Sequence, residues 1–115
     1  MATTTKALFR GAATTTVGTT LYTVPSATTT VVTNITVTNT AASAGTFTLG
    51  LAGTNLHTTT TIAANTTVYI DLKQVLATTN VITGGASATT INFHISGVEI
   101  SKWVSQLFLQ RQAQA

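Results

Sequence analysis

Acid–base and nucleophilic catalysis need carboxylates, imidazoles or thiols held at fixed distances. In this 115-residue chain those groups are Asp71, Glu99, His57 and His94, and cysteine is absent. A Ser-His-Asp triad is compatible with that count, but no serine sits in the strand–turn–helix pattern that exposes a nucleophile, and no Gly-rich stretch resembles a phosphate loop. The two carboxylates are not local neighbours, and no spacing among the four groups matches a metal site. His94 falls on the outward face of an alternating segment and His57 beside a threonine run, so both read as surface or interface residues. Gly84-Gly85 reads as a turn rather than an anion cradle. The inventory points away from an enzyme, and no catalytic residue, cofactor or metal is expected.

The elements that would carry these residues are β-strands. Threonine fills 30 of the 115 positions, and its β-branched side chain favours strands while its hydroxyl keeps a face wet without charge. Charged residues make up only 6% of the chain, far below the ~25% of ordinary soluble proteins. Such a surface loses little charge hydration when it meets another protein, which points to a protein–protein role. The net charge of +3 comes from Lys6, Arg10, Lys73, Lys102 and Arg111 against Asp71 and Glu99. These bases are scattered, with no run that would track a phosphate backbone, so nucleic acid is not an expected partner. No apolar run resembles a signal peptide or approaches the ~20 residues of a membrane span. The protein is therefore expected to be made in the cytoplasm, with no membrane partner.

Alternation at period two marks the strands. Thr19 to Pro25 ends at its proline. In Val31 to Asn39, Val31, Ile35 and Val37 share one face. In Thr46 to Leu51, Phe47, Leu49 and Leu51 point inward, as do Val68, Ile70 and Leu72 further on. His57 to Thr61 is an edge strand or a loop, Lys73 to Asn80 is ambiguous, and a short strand at Val81-Ile82 ends at Gly84-Gly85. Ile91, Phe93 and Ile95 form the last clear inward set. Val98 and Ile100 then fall on the opposite parity, which predicts a β-bulge at Gly97. Val24-Pro-Ser-Ala-Thr-Thr also echoes Ile62-Ala-Ala-Asn-Thr-Thr, and shared turn chemistry is the simplest cause. The expected fold is all-β: an antiparallel sandwich, jelly-roll or Ig-like, of six to eight short strands. Residues 1–13 read as an N-terminal arm or edge strand, 14–100 as the sandwich, and 101–115 as an apolar helix or arm.

The stretches TLYTVP (Thr20 to Pro25), VVTNITVTNT (Val31 to Thr40), IAANTTVYIDLKQVL (Ile62 to Leu76) and INFHISGVEI (Ile91 to Ile100) together resemble small Thr- and Ala-rich virion proteins of tailed bacteriophages. The resemblance implies a structural component on the outside of the particle: a capsid decoration (cement) protein, or a tail, neck or fibre part. A carbohydrate-binding adhesion module is the alternative from another class, with Trp103, Tyr22 and Tyr69 as its candidate platforms. The expected partners are the major capsid protein or tail proteins, and further copies of the chain, a trimer being favoured. Large aromatics and arginine anchor most protein interfaces. The expected contact residues are therefore Phe9 and Arg10 near the N-terminus, and Trp103, Leu107, Phe108 and Arg111 in the C-terminal segment.

Overall fold

A computed structural model of the chain describes residues 2–101. They form eight strands: β1 (Ala2–Ala12), β2 (Thr20–Thr23), β3 (Thr28–Asn39), β4 (Gly45–Leu51), β5 (Thr54–Ile62), β6 (Thr66–Leu76), β7 (Val81–Ala86) and β8 (Ile91–Ser101). They make two four-stranded sheets, ordered β1-β8-β3-β6 and β2-β7-β4-β5. Every neighbouring pair is antiparallel. The pairs β1/β8, β2/β7, β3/β6 and β4/β5 are those of one long hairpin, wrapped so that β8 also meets β3 and β7 meets β4. That is the jelly-roll form of the sandwich, and it removes the Ig-like alternative. Residues 2–12 are a full strand of the first sheet, paired along their length with β8, so the sandwich begins well before residue 14. The segment 102–115 lies outside the described residues.

The core forms where the inner faces meet. Val32, Ile35 and Val37 of β3 and Ile91, Phe93 and Ile95 of β8 face Phe47 and Leu49 of β4 and Ile82 of β7, all of them buried. Phe47 and Phe93 meet edge-on across the two sheets, ring centres 6.4 Å apart, the arrangement that aromatic quadrupoles favour. The Thr run expected as edge strand or loop is edge strand β5, and the ambiguous stretch after Lys73 continues β6 as far as Leu76. A tight turn follows, in which the Asn80 side chain accepts from the Ala77 amide at 2.8 Å.

Three expectations are corrected by the register. In β3 the inward residue is Val32, not Val31, because Thr33 is an extra residue relative to β8 and the parity switches there. The bulge expected at Gly97 is not in β8. The extra residues lie on its neighbours, Leu8 in β1 and Thr33 in β3, while β8 keeps its parity through Gly97. A Cβ on Gly97 would sit 2.4 Å from the Val31 carbonyl oxygen and 2.8 Å from Leu8 Cδ1, so glycine lets both bulged strands close in. Gly84-Gly85 is not a turn either: both residues lie inside β7, opposite Leu49 and Thr48. A Cβ on Gly85 would stand 2.5 Å from the Thr16 carbonyl oxygen. The chain at Thr14–Thr19 crosses close to this strand and accepts from the Ala86 and Gly84 amides at 2.9 Å each.

The two echoing turns have one structure. Each leads from the second sheet to the first, β2 to β3 and β5 to β6. Each buries its leading apolar residue, Val24 or Ile62. Each places its fourth residue in the left-handed region, Ala27 at φ 52° and Asn65 at φ 51°. In each, the next threonine returns a hydrogen bond to the carbonyl two residues back, Thr28 to Ser26 and Thr66 to Ala64, both at 2.9 Å. Asparagine tolerates left-handed backbone better than alanine. Ala27→Asn, copying the second turn into the first, is therefore expected to raise stability by about 0.5–1 kcal/mol, measured as a higher urea midpoint.

Candidate functional site

The outer face of β1-β8-β3-β6 is a continuous four-stranded surface. The register arranges it in rows. Tyr69, Thr36, His94 and Arg10 form one row, and Asp71, Asn34, Ser96 and Ala7 the next. The bulges at Leu8 and Thr33 then cross the sheet, and beyond them Val75, Val31, Val98 and Thr5 stand side by side. At the bulges the strands splay into a shallow, open depression of about 390 Å³, edged by Lys6, Arg10, Thr33, Ser96 and Val98. The Thr33 hydroxyl donates to the Ser96 carbonyl at 3.2 Å. The depression thus combines the Arg10 side chain with neutral hydroxyls, which suits a polar or acidic group of a partner protein.

On the inner face of the same end lies a polar cluster. Because β8 keeps its parity, Glu99 points inward with Ile95 and Gly97, in the row it shares with Thr4 and Thr30. The buried Tyr22 hydroxyl donates to the Glu99 carboxylate. The Thr30 hydroxyl completes the Tyr22 oxygen at 2.8 Å. Lys6 Nζ reaches Glu99 at 3.5 Å from the rim; that pair is half in solvent and contributes little by itself. Burial, then the hydrogen bond to Glu99, push the Tyr22 phenol up to about 12 from 10.0. A raised phenol stabilises the fold fully below pH 10.0 and loses that contribution as pH climbs through about 12. The stability gap between the unaltered chain and Tyr22→Phe is therefore expected to shrink by about 2–3 kcal/mol across that window. Urea unfolding of both proteins at stepped alkaline pH measures it; a constant gap would mean the phenol is not held in this environment.

The expected contact residues fall in three places. Arg10 is exposed on the outer face, between the depression and the His94 row. Phe9 is instead turned to its own core, packed against the buried cluster, because the bulge at Leu8 brings consecutive large residues inward. Trp103, Leu107, Phe108 and Arg111 lie outside the described residues. Of the remaining aromatic candidates, Tyr22 is buried and Tyr69 is 74% exposed. His94 and Asp71 are exposed on the outer face, whereas the His57 ring lies in the other sheet, 5.5 Å from Phe47 and 3.3 Å from the Thr60 hydroxyl. Among the described residues no three His, Asp or Glu side chains come together as a metal site, and no helix is long and apolar enough to cross a membrane. The inward Glu99 was the residue that alternation could have found: Ile91, Phe93, Ile95, Gly97 and Glu99 run at unbroken period two.

The chain matches no protein-family model, and comparison with curated proteins and with solved structures returns no significant match.

Proposed function

We propose that this protein is a non-enzymatic structural component of a virion, a decoration protein of a tailed-phage capsid that binds the assembled lattice from outside and stabilises it. The observation that carries the reading is the outer face of β1-β8-β3-β6: rows dominated by neutral Thr, Asn, Ser and Val side chains, with Arg10 and Asp71 as charged members. A surface of that kind meets protein with little desolvation of charge. The jelly-roll strand order agrees with the proposal, because capsid proteins are among its users, although lectins and cupins share it. The mechanism is mass action. A protein that binds the assembled lattice but not the free subunits shifts the equilibrium toward the lattice, and repetition over many equivalent sites adds avidity.

Particles lacking this protein test the proposal directly. Adding the purified chain back is expected to give saturable binding and a higher temperature of particle rupture. Particles that neither bind it nor gain stability would refute the lattice role. The tail or fibre reading places the same face against a tail protein, and it differs in the number of copies each particle carries.

A further inference from the structure

Beyond the bulges, the outer face of the first sheet changes character. Val75, Val31 and Val98 are lateral neighbours there, on β6, β3 and β8, and Ile100 stands in the next row beside Thr29 and Thr3. Val75 is 68% exposed. On the other side of the bulges the corresponding positions are Tyr69, Thr36 and His94, and Asp71, Asn34 and Ser96. An apolar stripe thus crosses three adjacent strands at one end of a face that is otherwise polar. Its origin is the unbroken parity of β8, which leaves Val98 and Ile100 outside while Glu99 takes the inner position.

The described part of the chain ends at this same end of the sheet. Ser101, the last residue of β8, follows Ile100 directly, and residues 102–115 read KWVSQLFLQRQAQA. That segment holds Trp103, Val104, Leu107, Phe108 and Leu109, the largest apolar cluster in the sequence beyond the core strands. Of the residues that commonly reverse a chain within a few positions it contains only Ser105, with no Gly, Pro, Asn or Asp. Because Ile100 itself belongs to the stripe, residues 102–115 could cover it in their own copy only after a reversal directly behind Ser101, whereas reaching a neighbouring molecule needs none.

We propose that the Val31–Val75–Val98–Ile100 stripe receives the 102–115 segment of a second copy of this chain. Asp71, exposed across the bulge from the stripe, offers a carboxylate to Lys102 or Arg111 of the arriving segment. Such a contact joins two different surfaces, so successive copies form a ring when the rotation closes. The inference rests on reading the protein as a multi-copy structural component, and it names the partner of the apolar end of its outer face.

The test uses purified full-length protein in solution, away from any particle. Sedimentation analysis is expected to find the unaltered chain self-associated. Val75→Lys, which alters only an exposed stripe position, is expected to weaken that association roughly ten-fold or more, and Trp103→Ser combined with Leu107→Ser to do the same. Mixing the two variants is expected to restore a complex between them, because one keeps an intact segment and the other an intact stripe. A monomeric unaltered chain overturns the inference. So does a Val75→Lys protein that assembles as tightly as the original, or a mixture that stays monomeric. Thermal unfolding of each variant verifies that it is folded. Self-association without particle binding would leave this inference standing and remove the virion reading instead.

Discussion

Gly97→Ala is expected to destabilise the sandwich by about 3 kcal/mol, at the upper end of what an overpacked methyl group costs. The added carbon would stand 2.4 Å from the Val31 carbonyl oxygen and 2.8 Å from Leu8 Cδ1. Leu8 is buried and its strand is bulged at that point, while the Val31 carbonyl belongs to the central strand β3, paired on both sides. The Leu8 methyl, at the end of a side chain, can shift, but the Val31 carbonyl cannot retreat without disturbing the ladders of β3. Gly53→Ala is the comparison: its backbone has a φ of +81°, but an added carbon meets nothing within 4 Å, so only the conformational penalty of about 1 kcal/mol applies. Urea unfolding of both variants separates the two causes. Equal losses would mean that the close approach at Gly97 does not constrain the fold.

Deleting residues 102–115 is expected to leave the jelly roll folded and to lower particle association by a hundred-fold or more. Among the described residues the two sheets already bury a core that runs from Leu8 in β1 to Ile95 in β8. Association falls because the deletion removes both the large apolar anchors and the link between copies, and linked binding exceeds single-site binding by about 10²–10⁴. Co-sedimentation of the truncated protein with particles measures the loss, and thermal unfolding verifies the fold. A truncated domain that still loads fully onto particles would show that the anchor lies elsewhere, with the outer face around Arg10 the first place to look.

Much of this architecture was legible in the alternation. Phe47, Leu49 and Leu51, and likewise Ile91, Phe93 and Ile95, were read as inward, and they are buried. The paired turns were read from their shared Thr-Thr ending, which turns out to close the same hydrogen bond in both. The readings that failed share one cause: a bulge or a close approach is a property of two strands, and a single strand's sequence does not announce it. Val31 was placed inside because the extra residue at Thr33 shows only against β8. The parity of Val98 and Ile100 suggests a slip in β8, but the slips belong to β1 and β3. Gly84-Gly85 carried a turn signal, yet its cause is the Thr14–Thr19 segment lying against β7. Residues 1–13 read as an arm or an edge strand, and an edge strand is what 2–12 form, but the Phe9 ring, expected at a partner, packs against the core.

The same misreading hid the candidate site. Once Glu99 is inside, it needs donors: Tyr22 and Lys6 come to it from two other strands, and Thr30, on a third, meets the Tyr22 hydroxyl. Once Val98 and Ile100 are outside, the outer face acquires its apolar end. No spacing rule brings Val31, Val75 and Val98 together, because that row exists only in the register of three antiparallel strands.

The measurement that tests the central claim most directly is the number of copies of this protein in purified virions, by quantitative mass spectrometry against the major capsid protein. The account predicts a ratio near one to one, or another large fraction set by the lattice. A handful of copies per particle would contradict capsid decoration and assign the protein to the tail, neck or fibres, and absence from the particle would contradict the virion reading altogether.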